Sequence, residues 1–240
     1  MPGTHILSSH DAELARLTAE IVRMGDIAVD QLREAMVALT SRNTATADEV
    51  ISRDVEIDAL EQQVSEEVVQ LALHGPMARD LREILAALRI ASDIERVGDY
   101  AANLAKRALA LGFTAPPTPA RGLGALADIA IEMLEAVLEA YRNRDAEAAA
   151  AVRARDAELD ALYTALFREL LTYMAEDPRT ISSAIHLLFV AKNIERIGDH
   201  ATNIAENIWY VVHGETPQKE RDKRDATSTT LAGPGDGESG

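Results

Sequence analysis

Apolar residues recur at intervals of three and four through most of the chain, the spacing that lines one face of an α-helix. Leu14, Leu17, Ile21, Met24, Ala28, Leu32, Ala35 and Leu39 mark a first amphipathic helix of about thirty residues, entered from Ser8, Ser9 or Asp11. Thr46 followed by Glu49 has the form of a capping box, and Val50, Ile57, Leu60, Val64, Val68 and Leu71 carry a second helix until Gly75 and Pro76 stop it. A third runs from about Ala78 to Leu111. The segment GFTAPPTPARG, Gly112 to Gly122, cannot continue it, because proline lacks the amide donor and clashes with the preceding turn. Beyond it the plan repeats, with helices from about Leu123 to Arg142, from about Asp145 to Ala175 and, after a stop at Asp177 and Pro178, from about Thr180 to His213. Helices of this length joined by short turns must lie side by side.

The pattern predicts an all-α fold of two tandem, pseudo-symmetric three-helix bundles, six long helices in all. The first repeat spans 5–112, a Pro-rich linker 113–122 and the second repeat 123–213; the polar stretch 214–240 has almost nothing to bury and reads as a disordered tail. Duplication is visible directly. ASDIERVGDYAANLA at 91–105 matches AKNIERIGDHATNIA at 191–205 in nine of fifteen positions, and an alanine-rich helix would match its alanines by chance but not its charges, glycine and asparagine as well. Asp54-Val-Glu-Ile-Asp58 and Asp156-Ala-Glu-Leu-Asp160 match likewise, so the repeat is a whole three-helix unit. The duplication favours two small cores over one large one.

Composition narrows the chemistry. Aromatic residues make up only 4%, which suits packed helices rather than a sandwich or barrel. A net charge of −16 repels polyanions, so nucleic acid and anionic membranes are poor partners. Cysteine is absent, and any metal must be held by oxygen or imidazole. The N-terminus lacks the charged and apolar regions of a secretory signal, and no segment approaches the ~18 apolar residues of a membrane span. The expectation is a cytoplasmic protein; one docked peripherally on a membrane complex would read the same way.

Each half carries two acidic pairs at a spacing of four, Asp54 with Asp58 and Glu95 with Asp99, then Asp156 with Asp160 and Glu195 with Asp199. That spacing places both carboxylates of a pair on one helix face, about one turn apart, where they repel. If neighbouring helices are antiparallel, a pair from one can face a pair from the next, and four gathered carboxylates require cations. Oxygen-preferring Mg, Mn, Ca or Fe suits these ligands, and zinc also accepts carboxylate. Taken alone, any one such pair is ordinarily a solvated helix face; recurrence at matching places in both halves argues for a site. Asn103 and Asn203, one turn further on, are candidates to supply a carbonyl oxygen. Gly98 and Gly198 each cost their helix about 1 kcal/mol relative to alanine, which calls for close approach of a helix or of a bound cluster. Arg96 and Arg196 read as surface ion-pair partners, and His200, opposite Tyr100 in the other copy, could border the second site.

No nucleophile elbow, P-loop or dinucleotide fingerprint is present, and no histidine has an acid three residues before it, as a di-iron bundle enzyme requires. The reading is therefore non-enzymatic. A metal-dependent phosphoester hydrolase and a metal-free helical scaffold are the alternatives.

The duplicated motif, with DVEIDALEQ from Asp54, EDPRTI from Glu176 to Ile181 and WYVVHG closing the last helix, resembles the PhoU family over residues 5 to 214 in order. These are accessory regulators of the phosphate-specific transport system. The resemblance implies a six-helix protein whose acidic motifs, here Glu95, Asp99, Glu195, Asp199, Asp54, Asp58, Asp156 and Asp160, bind Fe, Zn, Mg or Mn, in multinuclear clusters where the family forms them. It also implies a negative regulator of phosphate uptake and of phosphate-starvation signalling. Its partners would be the ATPase subunit of the phosphate ABC transporter and a phosphate-sensing histidine kinase, with a homodimer as a further assembly. One departure is His200, where members often carry arginine, which bears on the charge of the second site.

Overall fold

A computed structural model describes residues 3–73, 78–112 and 121–217, with side chains described from residue 11 onward except at 78, 79 and 121. Its elements are α1 (Gly3–Ser41), α2 (Thr44–Leu73), α3 (Ala78–Leu111), α4 (Arg121–Asn143), α5 (Ala146–Glu176) and α6 (Ile181–His213), with one 3-10 turn at Pro178–Thr180 before α6. The expected stop at Gly75 and Pro76, the body of the Pro-rich linker and most of the polar tail lie outside the described residues. α1 begins at Gly3, ahead of the predicted start at Ser8, Ser9 or Asp11.

The α1–α2 and α4–α5 turns are built alike. In each, one arginine takes the left-handed conformation, Arg42 at φ 55° and Arg144 at φ 53°, and the next residue caps the new helix. Asn43 accepts hydrogen bonds from the backbone amides of Ala45 and Thr46, and Asp145 from that of Ala148. The capping box expected at Thr46 and Glu49 is thus displaced. Asn43, three residues earlier, takes the first free amides of α2, and Thr46 sits inside the first turn. At the end of α5, Asp177 accepts from the amide of Arg179, and Pro178 opens the 3-10 turn where its missing donor costs nothing.

Each half packs its three helices on one another, but the halves do not keep separate cores. α3 lies against α6 and α1 against α4, and the buried side chains of all six helices form one continuous cluster. This corrects the expectation of two cores. Three-helix units of this size leave one face of α3 and of α6 apolar, and each buries it against its duplicate.

The contacts across α3 and α6 give their direction. Asp93 meets Asn203, Tyr100 lies beneath Arg196, and Arg107 covers Phe189. Each seven-residue step up α3 is a seven-residue step down α6, so the helices are antiparallel about a midpoint at Gly98 and Gly198. The two repeats are therefore related by an approximate two-fold axis. Among the described residues no helix is long and apolar enough to cross a membrane.

Candidate metal centre

In the first half the predicted pairs face each other. Asp54 on α2 is shifted to a higher pKa by burial first, then by the negative charges of Asp99 and Asp58, with Lys106 opposing. Glu95 on α3 is shifted up by burial, then by Asp99, with Asp58 and Glu61 adding to the rise and Arg96 offsetting it. Five carboxylates thus feel one another across the α2–α3 groove. Asp54, Glu95 and Asp99 are partly buried and Asp58 is exposed. Arg96 serves as the ion-pair partner its position suggested, 2.9 Å from Asp99 and 3.3 Å from Glu95.

Gly98 sets how closely the helices approach there. A Cβ on it would stand 2.7 Å from Cδ1 of Ile57 and 3.5 Å from Oδ1 of Asp54. Gly198 meets Leu159, the counterpart of Ile57, more tightly still. Of the two explanations for these glycines, helix packing accounts for both, and the packing is what brings the acidic pairs together.

The second half places the same carboxylates more deeply. Asp156 and Asp160 are 3% exposed and Glu195 is 4% exposed, against a partly buried Asp199. The Thr202 hydroxyl lies at 3.4 Å from Oδ1 of Asp156 and donates to the carbonyl of Gly198. Lys192 brings its ammonium to 2.9 Å from Oε2 of Glu195, 5.1 Å from the Tyr163 ring centroid. The equivalents of Lys192 and Tyr163 in the first half are Ser92 and Glu61. The first site is thus richer in carboxylate and flanked by Arg96, whereas in the second Lys192 stands beside Glu195. Sequence reasoning passed over Glu61, Lys192 and Tyr163, although Glu61 continues the Asp54–Asp58 face at a spacing of three and aligning the two copies exposes both exchanges.

Three expectations are corrected. Asn203 does not turn toward the second acidic pair; its amide donates to Asp93 across the α3–α6 seam at 3.3 Å. His200 turns the same way, its Nδ1 2.7 Å from Oδ1 of Asp93 and its ring 5.7 Å from that of Tyr100. Arg196 lies over the Tyr100 ring at 5.9 Å, not in the surface ion pair expected of it. All three lie on the side of α6 that packs on α3, about a quarter-turn from the face of Glu195.

Among the described residues no three His, Asp or Glu side chains stand in the arrangement that would hold a metal ion. The donor chemistry nevertheless suits one. Gathered, partly desolvated carboxylates are the oxygen-rich environment that hard ions take.

A family model described as "PhoU domain" matches residues 21–108 and 123–208. The chain is 57% identical over 225 residues to a phosphate-specific transport system accessory protein PhoU homolog of Xylella fastidiosa, an alignment covering 93% of each. It is 52% identical over 231 residues to the protein of the same description from Rhizobium meliloti, covering 95% of this chain and 98% of the relative. Among solved structures, PhoU from Pseudomonas aeruginosa superposes with a TM-score of 0.83 at 34% identity, covering 85% of this chain and 99% of that one. The phosphate transport system regulatory protein PhoU from Streptococcus pneumoniae gives 0.82 at 26% identity, covering 88% and 100%.

Proposed function

This chain belongs to the PhoU family, and we propose that it serves phosphate-specific transport as an accessory protein. Within that role it acts as a negative regulator of phosphate uptake and of phosphate-starvation signalling. It works as a non-enzymatic cytoplasmic adaptor between the ATPase subunit of the transporter and a phosphate-sensing histidine kinase, with a homodimer as a further assembly. Support comes from relatives matched over nearly the whole chain and named for that system, and from both repeats being intact.

The acidic grooves are the proposed metal sites. Asp54, Asp58, Glu95 and Asp99 would hold ions in the first half, and Asp156, Asp160, Glu195 and Asp199 in the second. A bound divalent or trivalent ion such as Fe, Zn, Mg or Mn would add positive charge where these carboxylates gather. The observation that carries this reading is the mutual approach of the α2 and α3 pairs, which raises Asp54 and Glu95 together. In the first half Asp58 is exposed beside its neighbours. In the second, Lys192 would have to yield its place beside Glu195.

Elemental analysis of protein purified without chelators or affinity metal tests the metal reading. Bound metal is expected, and Glu195→Ala with Asp199→Ala should remove about half of it, since one of two sites is lost. Unchanged content would remove those residues as ligands. For the adaptor role, co-purification with the transporter ATPase subunit is the measurement, and its absence for both wild-type protein and metal-loaded protein would count against it.

A further inference from the structure

None of the chain's 40 Asp and Glu residues lies between Tyr100 and Ala127 or between Pro178 and Ile194. Carboxylates make up one residue in six of the sequence, so 45 residues without one mark a distinct region. Because α3 and α6 are antiparallel, the acid-free C-terminal part of α3, Tyr100 to Leu111, lies beside the acid-free N-terminal part of α6, Ile181 to Ile194, and the two form a single strip.

Three large apolar side chains project from that strip. Ile181, Ile185 and Phe189 are 41%, 40% and 49% exposed, and their spacing of four sets them in one row on α6. The row is about 12 Å long at 1.5 Å per residue. The guanidinium of Arg107 lies 4.4 Å from the Phe189 ring centroid, and exposed Lys106 precedes it on α3. The surface is therefore apolar with a positive border, in a chain whose net charge is −16. The two-fold counterpart at the other end provides a contrast. There Leu81 and Leu85, 40% and 44% exposed, form the equivalent row, but Asp80 adjoins Leu81 and Arg89 stands where Phe189 does in the other copy. Exclusion of acid is a property of one end, not of the repeat.

We propose that the strip formed by Ile181, Ile185, Phe189, Lys106 and Arg107 docks an acidic amphipathic helix of a partner protein. Apolar anchors one turn apart on such a helix match the row on α6, and its flanking carboxylates meet the Arg107 and Lys106 cations beside Phe189. An anionic bilayer carries the same sign but is a plane. It would press its charge on Glu176 and Asp177 as well, which directly precede the strip in the chain. A helix centred on Ile185 and Phe189 clears them: Phe189 is twelve residues, about 18 Å at 1.5 Å per residue, beyond Asp177, more than two screening lengths of about 8 Å, and Arg179 pairs with Asp177 at 2.9 Å.

The test is fluorescence anisotropy with a designed helical peptide bearing leucines at successive turns and glutamates on their flanks. Its lysine counterpart and vesicles of phosphatidylcholine with phosphatidylserine serve as comparison probes. The full chain is expected to bind the acidic peptide and not the basic one. Affinity should fall by about tenfold or more in Phe189→Ser and Ile185→Ser, the size of effect usual for a central anchor, and fall again on Arg107→Glu. Leu85→Ser, at the counterpart row, should bind as wild type. All four positions are at the surface, and circular dichroism confirms that each variant is folded. Equal binding of the two peptides, no binding of either, or equal damage from Leu85→Ser overturns the proposal. Vesicle binding without peptide binding assigns the strip to a membrane, and loss of the exposed row in a self-associated dimer assigns it to a second copy; both also overturn it.

Discussion

Nδ1 of His200 lies 2.7 Å from Oδ1 of Asp93, across the seam where α6 packs on α3. Asn203 donates to the same oxygen at 3.3 Å, so one carboxylate of the first half is held by two side chains of the second. The two-fold counterpart of Asp93 is Asn193 and that of His200 is Tyr100, so the duplicated halves have kept this link in one direction only. The side chains of His200 and Asp93 are 19% and 15% exposed, enough shielding for the contact to contribute.

Asp93→Asn is expected to lower the unfolding free energy by about 1–2 kcal/mol. Urea denaturation measures it. In a double-mutant cycle with His200→Ala the two losses should not add, because each removes the same contact; simple additivity would show that the pair is not coupled.

Gly98→Ala sets a helix-propensity gain of about 1 kcal/mol against overpacking on Ile57 that costs about 1–3 kcal/mol. Net destabilisation is expected. Ile57→Val removes Cδ1, the atom that an added Cβ would approach to 2.7 Å. The double variant should therefore be more stable than the sum of the two single changes predicts. A cycle with no positive coupling would mean that the glycine is kept for another reason.

Asp54 and Glu95 give a signed pH prediction. Their pKa values are raised in the fold, by burial first and then by Asp99, from ordinary values of 3.8 and 4.5. The fold therefore holds these protons more tightly than the unfolded chain does. Their contribution to stability is full below the ordinary carboxylate range and is lost as pH rises through the raised values. In chelator, Asp54→Asn and Glu95→Gln should raise the unfolding midpoint at neutral pH, and the advantage should shrink as the buffer is made acidic. An excess of divalent cation should reverse it, because the ion stabilises the charged wild-type groove. Thermal unfolding across a pH series checks this, and an advantage that persists unchanged into acid would contradict it.

The two left-handed arginines share a backbone but not a setting. Arg144 pairs with Glu83, which is only 6% exposed. Arg144→Gly should cost about 1–3 kcal/mol, since it relieves the positive φ but takes the guanidinium from a buried carboxylate. Arg42 is exposed, where solvent screens its contacts, and Arg42→Gly should lie within about 1 kcal/mol of wild type. Equal effects in chemical denaturation would mean that the Glu83 pair contributes nothing.

The six helices, the duplication and the eight acidic residues were legible in the sequence because each is a local or self-referential signal. Period-3.6 burial of Leu17, Ile21 and Met24 needs no partner to be recognised, and Glu95 and Glu195 announce each other at a fixed offset. Helix starts were less legible. Asn43 and Thr46 are both capping types a turn apart, and the choice between them depends on where the left-handed Arg42 turns the chain.

What only the tertiary structure decided is how the two copies meet. One repeat pattern is compatible with two separate cores or one shared core, and the balance was set by the apolar faces that α3 and α6 bury against each other. That antiparallel seam turned His200 and Asn203 away from the second acidic pair and toward Asp93, and set Arg107 of α3 over Phe189 of α6. Sequence periodicity fixes which side of a helix a residue occupies, but not which helix will face that side, because that depends on the burial of the whole chain at once.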